Sequence, residues 1–365
     1  MPLADYPTGH DLSTCLAHTK KYLYRNRHLA KNVNFTPISV NSSKMRPLRR
    51  FGLGREQAFP AGPRAFGGMG REKPEPSAEL LDVLPQATDQ TLTGWTDPHI
   101  VAAPLRPSPT PHLWIFFGGS YGKPQRQLTL IDHIASLGHW AINLRYPNDW
   151  TIGGLSRRST VSHTHEALRL QILDGRDRSG LLPLPPQDCI LNRLQKLLLW
   201  LSARQVGKGW DAFLDGGAPR WDRIAAAGHS QGGGHAAILG KHLSLERVVM
   251  LSAPADCVEE GASAPWLARD GATAADRYRG FAHLRDPAIA RILGGWESLG
   301  LSRFGAPVRV ESSEPPYENS HQFVTDREVE DDRHHGSVAV DRFIPYLRDG
   351  SPAFRPVWSQ LFQLS

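Results

Sequence analysis

The pattern of apolar and polar positions divides the chain near residue 92. Before that point no period is sustained, and Gly, Pro, Ser and Arg recur in stretches such as MRPLRRFGLG and FPAGPRAFGGMGREKPEPS. Such a segment buries too little apolar surface to offset the entropy of ordering it, so residues 1–90 are expected to form a disordered leader. Beyond it, His99–Ala103, His112–Phe117, Trp140–Leu144, Ile224–Ala227 and Arg247–Leu251 are short, mostly apolar runs. Strands buried on both faces read this way. Arg279–Leu284 and Val308–Glu311 are weaker runs of the same kind. Between them, Gln125–Leu137, Ser162–Leu173, Ile190–Arg204 and Gln231–Leu243 carry helical spacing. A further helical pattern, Val338–Leu347, reads as the last helix. Strands alternating with helices predict a mostly parallel sheet with helices on both faces over residues 91–365. The stretch from about 148 to 217, rich in Trp, Leu and Pro, leaves room for a cap insertion.

Composition narrows the class. With 365 residues, 40% hydrophobic and 21% charged, the chain can bury a large core and is not a coiled coil, a collagen or a wholly disordered protein. No apolar run approaches the roughly 18 residues of a spanning helix, so no membrane span is expected. The net charge of +6 is local: residues 1–76 hold 13 Lys+Arg against 5 Asp+Glu, and the remainder is slightly acidic. We read the basic arm as a solvated extension, and no nucleic-acid partner is expected. The start, MPLADYPTGHDLSTC, has early acids and no continuous apolar stretch, which predicts no secretory signal and a cytoplasmic location. Cys15, Cys189 and Cys257 are too few for a disulfide scaffold or a thiolate zinc site and are expected as free thiols. A Cys189–Cys257 bridge is the alternative.

The strongest chemical signal is Gly228-His229-Ser230-Gln231-Gly232, a G-x-S-x-G between a predicted strand and a predicted helix. A sharp strand-to-helix bend strains its central residue and brings the positions two before and two after it together, so both favour glycine. Ser230 would stand exposed at the head of a helix, where negative charge is favoured. Gly118-Gly119-Ser120-Tyr121-Gly122 matches the same pattern but follows an early strand. That is where a backbone oxyanion donor belongs in such a sheet, so Gly119 or Ser120 is the candidate there and Gln231 the other.

A serine hydroxyl needs a base, and the base needs an acid, in the chain order Ser, Asp, His. Asp286, which ends a strand-like run before Pro287, is the preferred acid, with Asp256 as rival and Asp270 and Asp326 behind. His335, in a glycine-containing loop, is the preferred base, with His334, His321 and His283 as alternatives. His229 and His235 lie six apart across a bend, and His163-Thr164-His165 lacks a carboxylate at ligand spacing, so no metal site is expected. The glycines at 232–234 lack dinucleotide spacing, and no cofactor is required.

GHSQGGGHA, preceded by a strand and followed by RVVMLSAPAD, resembles the α/β-hydrolase superfamily, close to a bacterial group of largely uncharacterised serine hydrolases. The similar features run through TDPHIVAAP, FFGGSYGKP, ILDG, APWL, RYRGFAHLRD and HHGSVAVD and cover roughly residues 95–365. The resemblance implies the α/β-hydrolase fold with an eight-stranded sheet and a Ser230–Asp286–His335 triad. It implies a serine esterase working on a small-molecule ester through an acyl-enzyme. A thioesterase, amidase or peptidase on the same residues, or an inactive hydrolase-like binding protein, are the alternatives. GGS in place of the superfamily's HGGG leaves the oxyanion donor open between Gly119 and Ser120. The doubled His334-His335 leaves the base open by one residue.

Overall fold

The computed structural model describes residues 77–159, 163–258, 261–330 and 333–364. Residues 1–76, most of the predicted leader, lie outside the described residues. Among the described residues, nine strands form one sheet: β1 (Ala78–Val83), β2 (His99–Pro104), β3 (Leu113–Phe117), β4 (Trp140–Leu144), β5 (Ile224–His229), β6 (Val248–Leu251), β7 (Tyr278–His283), β8 (Val308–Arg309) and β9 (Gln322–Thr325). Their spatial order is β1-β2-β4-β3-β5-β6-β7-β9-β8. β2 runs against both its neighbours, and every other pairing is parallel. This order with a reversed second strand is that of the α/β-hydrolase fold.

Three expectations change. The sheet has nine strands, not eight, because the two-residue β8 adds an outer edge beside β9. The ordered domain begins before residue 91, because all six residues of β1 pair with β2 inside the segment assigned to the leader. As an edge strand, β1 leaves Leu80 exposed, so its apolar positions do not alternate cleanly. Val338–Leu347 is not a helix. It carries only a tight turn at Asp341–Phe343, and the last helix is Arg355–Phe362.

Among the described residues, six helices of eight residues or more flank the sheet: α1 (Leu128–Ser136), α2 (Thr164–Asp174), α3 (Ile190–Arg204), α4 (Gln231–His242), α5 (Ile289–Ser298) and α6 (Arg355–Phe362). Alternate side chains of the central strands enter two cores, as the period of a strand requires. Ile115, Phe117, Ile142 and Met250 pack with α2, α3, α4 and α5. Trp114, Phe116, Ala225 and Phe281 pack with α1 and α6. Leu194, Leu197, Leu198 and Leu201 of α3 share the first core, so much of the 148–217 stretch covers the sheet itself. Cys189 and Cys257 are not bridged. No helix among the described residues is long and apolar enough to cross a membrane.

His133 and His139 are buried on the α1–α6 side. His133 lies against Trp358, and His139 accepts from the Leu364 amide. Burial, first, pushes both down to about 4. The unfolded chain therefore takes up these protons first, near the ordinary value of 6.5. Their contribution to stability is present above that value and is lost as the pH falls. Each is worth up to about 1.4 kcal/mol per pH unit between about 6.5 and 4. The urea midpoint is expected to fall from pH 7.5 to pH 5, and less steeply in His133→Gln. A midpoint independent of pH over that range would contradict the buried neutral imidazoles.

Candidate functional site

Parallel strands bring their carboxyl ends to one edge of the sheet, where the connecting loops meet. β5 passes into α4 through Ser230 alone, at φ 56° and ψ −122°. The flanking glycines are sterically required. A Cβ on Gly228 would lie 2.3 Å from the Gly232 carbonyl, and one on Gly232 would lie 2.0 Å from the Phe117 carbonyl oxygen. The sequence argument for glycine on either side of the serine thus has a direct structural counterpart.

Ser230, His335 and Asp286 form one hydrogen-bonded chain. His335 Nε2 is 2.8 Å from Ser230 Oγ, and His335 Nδ1 is 2.7 Å from Asp286 Oδ2. A carboxylate on one side fixes the tautomer: Nδ1–H donates to Asp286, and Nε2 is left to accept from the serine hydroxyl. Asp286 follows β7 and turns back tightly, its Oδ1 accepting from the Ala288 amide at 2.8 Å. Burial would raise its carboxyl, but the hydrogen bond and charge of His335 outweigh it and hold the group below the ordinary carboxylate range. The Asp286 side chain is 1% exposed and that of His335 37%, so the acid is enclosed while the imidazole faces the solvent side. Such a chain can remove a proton from the hydroxyl as it attacks a carbonyl and return that proton to a leaving group.

The rivals lie elsewhere. Asp256 accepts two 2.6 Å bonds from the buried Arg169 guanidinium and a third from Trp266 Nε1. His321 precedes β9 at the opposite edge of the sheet. It stacks on Phe304, accepts from Arg279, and is pushed down to about 3 by burial and by that arginine. His334 packs against His283, with ring centroids 4.5 Å apart. His283 donates from Nε2 to the Arg327 carbonyl and accepts at Nδ1 from the Arg285 amide.

The glycine loop after β3 reaches the same edge. A Cβ on Gly119 would sit 3.2 Å from the Ser230 Cβ, which measures how closely that backbone approaches the serine. The loop's carbonyls are tied back. Tyr146 donates to Gly118 O at 2.6 Å, and Asn148 Nδ2 donates to Gly119 O and Gly122 O at 2.7 and 2.9 Å. Among the described residues, no acceptor faces the N–H groups of Gly119 or Ser120. The Gln231 N–H, at the first position of α4, has no intrahelical acceptor either. These amides are the donors the sequence pointed to, and they remain available to a negatively charged oxygen.

Three features had escaped the sequence reading. His229, pushed down to about 3 by burial and by the neighbouring His335, is a neutral ring that donates from Nε2 to the His335 carbonyl at 2.8 Å. It ties the bend at Ser230 to the short helix His334–Ser337 that carries the candidate base. Arg169 donates to the Gln231 carbonyl at 3.0 Å beneath α4. A Cβ on Gly234 would meet its guanidinium at 2.3 Å. The one available signal was position: Arg169 stands four residues after His165 and four before Leu173, on one buried face of α2. Asn148 and Tyr146 gave no signal at all. Among the described residues, no three His, Cys, Asp or Glu side chains come together as metal ligands.

No protein-family model matches the chain, and no curated protein matches it. Among solved structures, it is similar to a thermophilic carboxylesterase cloned from a metagenomic library, at 14% identity and a TM-score of 0.42, over 80% of this chain and 90% of that one. It is also similar to a thermostable esterase from Pseudomonas putida, at 12% identity and a TM-score of 0.33, over 68% and 72% of the two chains. A hyperthermophilic esterase from the archaeon Pyrobaculum calidifontis matches at 11% identity and a TM-score of 0.34, over 61% and 70%. What the chain does must be argued from its own side chains.

Proposed function

We propose that this protein is a serine hydrolase that cleaves carboxylic esters of small molecules through an acyl-enzyme. Ser230 Oγ attacks the ester carbonyl while its proton passes to His335 Nε2. Asp286 holds the Nδ1–H and offsets the charge that forms on the ring. The negative oxygen of the tetrahedral intermediate lies against the N–H of Gln231 and that of Ser120 or Gly119. As it collapses, the carbonyl re-forms, the C–O bond to the alcohol breaks, and His335 gives the alcohol its proton. Water, deprotonated by the same imidazole, then attacks the acyl-serine and releases the acid. The reading rests on one observation, the pair of 2.8 and 2.7 Å contacts joining hydroxyl, imidazole and carboxylate.

A fluorophosphonate tests the first step directly. Its adduct is expected on the peptide containing Ser230, with Ser120 unmodified. An adduct on Ser120, or none on native protein, would remove the basis of the proposal. Rates on an ester, a thioester and an amide with the same acyl group then decide between esterase and the related hydrolases, and the ester is expected to have the highest kcat/KM.

A further inference from the structure

The side chains of Ser120 and Gln231 lie between the two backbone segments that carry the free amides. Ser120 Oγ is 2.8 Å from Gln231 Oε1, and the Ile152 amide is 3.2 Å from the same oxygen. The roles follow from the donors. A backbone N–H can only donate, so the amide atom facing Ile152 is the oxygen, and the Ser120 hydroxyl must donate to it as well. The hydroxyl is therefore committed to Gln231. Gln231 is 6% exposed, and its bond to the Ile152 amide is buried. The bonded carbonyls of Gly118, Gly119 and Gly122 fix the orientation of the loop, but they attach it to Tyr146 and Asn148 beyond β4. Among the described residues, the Ser120 hydroxyl makes the loop's only side-chain bond to the elbow. The same glutamine oxygen also reaches Ile152, the first residue of the one-turn helix Ile152–Ser156, and so holds three segments in register.

We propose that Ser120 and Gln231 are positioning residues whose side-chain bridge sets the distance between the two amides that receive the oxyanion. This deepens the proposed function and rests on it. Neither side chain touches the reacting atoms. Each acts through the backbone N–H that it helps to place. Donors aimed at charge that exists only in the transition state affect kcat, whereas substrate binding does not depend on them. A donor moved by about 1 Å can cost on the order of a hundredfold.

The test uses p-nitrophenyl butyrate, with active sites titrated by a fluorophosphonate so that kcat is per competent site. Ser120→Ala is expected to lower kcat about 10- to 100-fold with KM within about twofold. Ser120→Thr, which keeps the hydroxyl, is expected to restore most of that loss. Gln231→Ala should show the same kcat-selective loss. The double variant should be no worse than the poorer single one, because both changes break the same bridge. An aryl trifluoromethyl ketone, which forms a tetrahedral adduct, should lose affinity in parallel with kcat/KM. A purely structural role would instead lower the melting temperature and the titrated fraction while leaving kcat per site intact.

Wild-type kcat per competent site in Ser120→Ala, or losses that multiply in the double variant, would overturn the proposal. So would loss in Ser120→Ala with Gln231→Ala at the wild-type rate, which would put the hydroxyl on the oxyanion itself. Absence of Ser230-dependent turnover in the wild type would instead bring down the esterase reading, and the bridge's role with it. Turnover abolished by Ser230→Ala but untouched by Ser120→Ala leaves that reading standing and removes only this inference.

Discussion

Ser230→Ala is expected to lower kcat on p-nitrophenyl butyrate by about 10⁶ and to abolish the burst of p-nitrophenol that marks acyl-enzyme formation. The size follows from what the serine does in the proposed route. It supplies the nucleophile that splits one difficult displacement into two easier ones, and without it no acyl-enzyme can form. Residual catalysis of about 10³ to 10⁴ over the uncatalysed reaction would remain, from binding and the oxyanion donors alone. The fold should hardly notice the change, because Ala at φ 56° carries the same strain as Ser. Ser230→Gly offers the complementary reading. Glycine relaxes at that backbone conformation, so it should be more stable than Ser230→Ala by roughly 1 kcal/mol in urea while equally inactive. A Ser230→Ala protein that retained a tenth of the wild-type rate would end the proposal.

The strand-to-helix bend at Ser230 was legible because its residue types are dictated sterically. Gly228 and Gly232 cannot carry a Cβ without striking backbone, and such a constraint is written into the sequence itself. The buried parallel strands were legible for a similar reason, since β3, β4 and β5 are buried on both faces and therefore mostly apolar. What escaped was either marginal or held by distant partners. β1 is an edge strand with one neighbour, and β9 is a four-residue strand whose partner β7 lies some forty residues earlier in the chain. The charged core under α4 was hidden because a single arginine in a helix does not reveal that an aspartate 87 positions away will meet it. The histidine choice turned on one residue in the doublet His334-His335. Only the turn of the short helix His334–Ser337 points one ring at Ser230 and the other at His283.

The two aspartates that the sequence could not separate should respond to substitution in opposite ways. Asp286→Asn is expected to lower kcat by about 10⁴ at neutral pH while leaving the folded state largely intact. An amide in place of the carboxylate can donate to Nδ1, which favours the tautomer whose Nε2–H faces Ser230 and cannot take the hydroxyl's proton. The carboxyl of Asp286 is held below the ordinary range in the folded protein. Its contribution to stability is therefore present above the unfolded value and lost as the pH falls. Asp286→Asn should accordingly flatten the acid side of the stability profile slightly. Asp256→Asn leaves the Arg169 guanidinium buried without its counter-charge, at a cost of about 3–5 kcal/mol of stability. The Asp256→Asn protein that does fold should retain wild-type kcat per fluorophosphonate-titrated site within a few fold, because Asp256 bonds to Arg169 and Trp266 and not to His335. Urea unfolding and titrated kcat on the same two variants decide the matter. The reverse pattern, a kcat collapse in Asp256→Asn and none in Asp286→Asn, would mean that the imidazole is oriented by a different carboxylate.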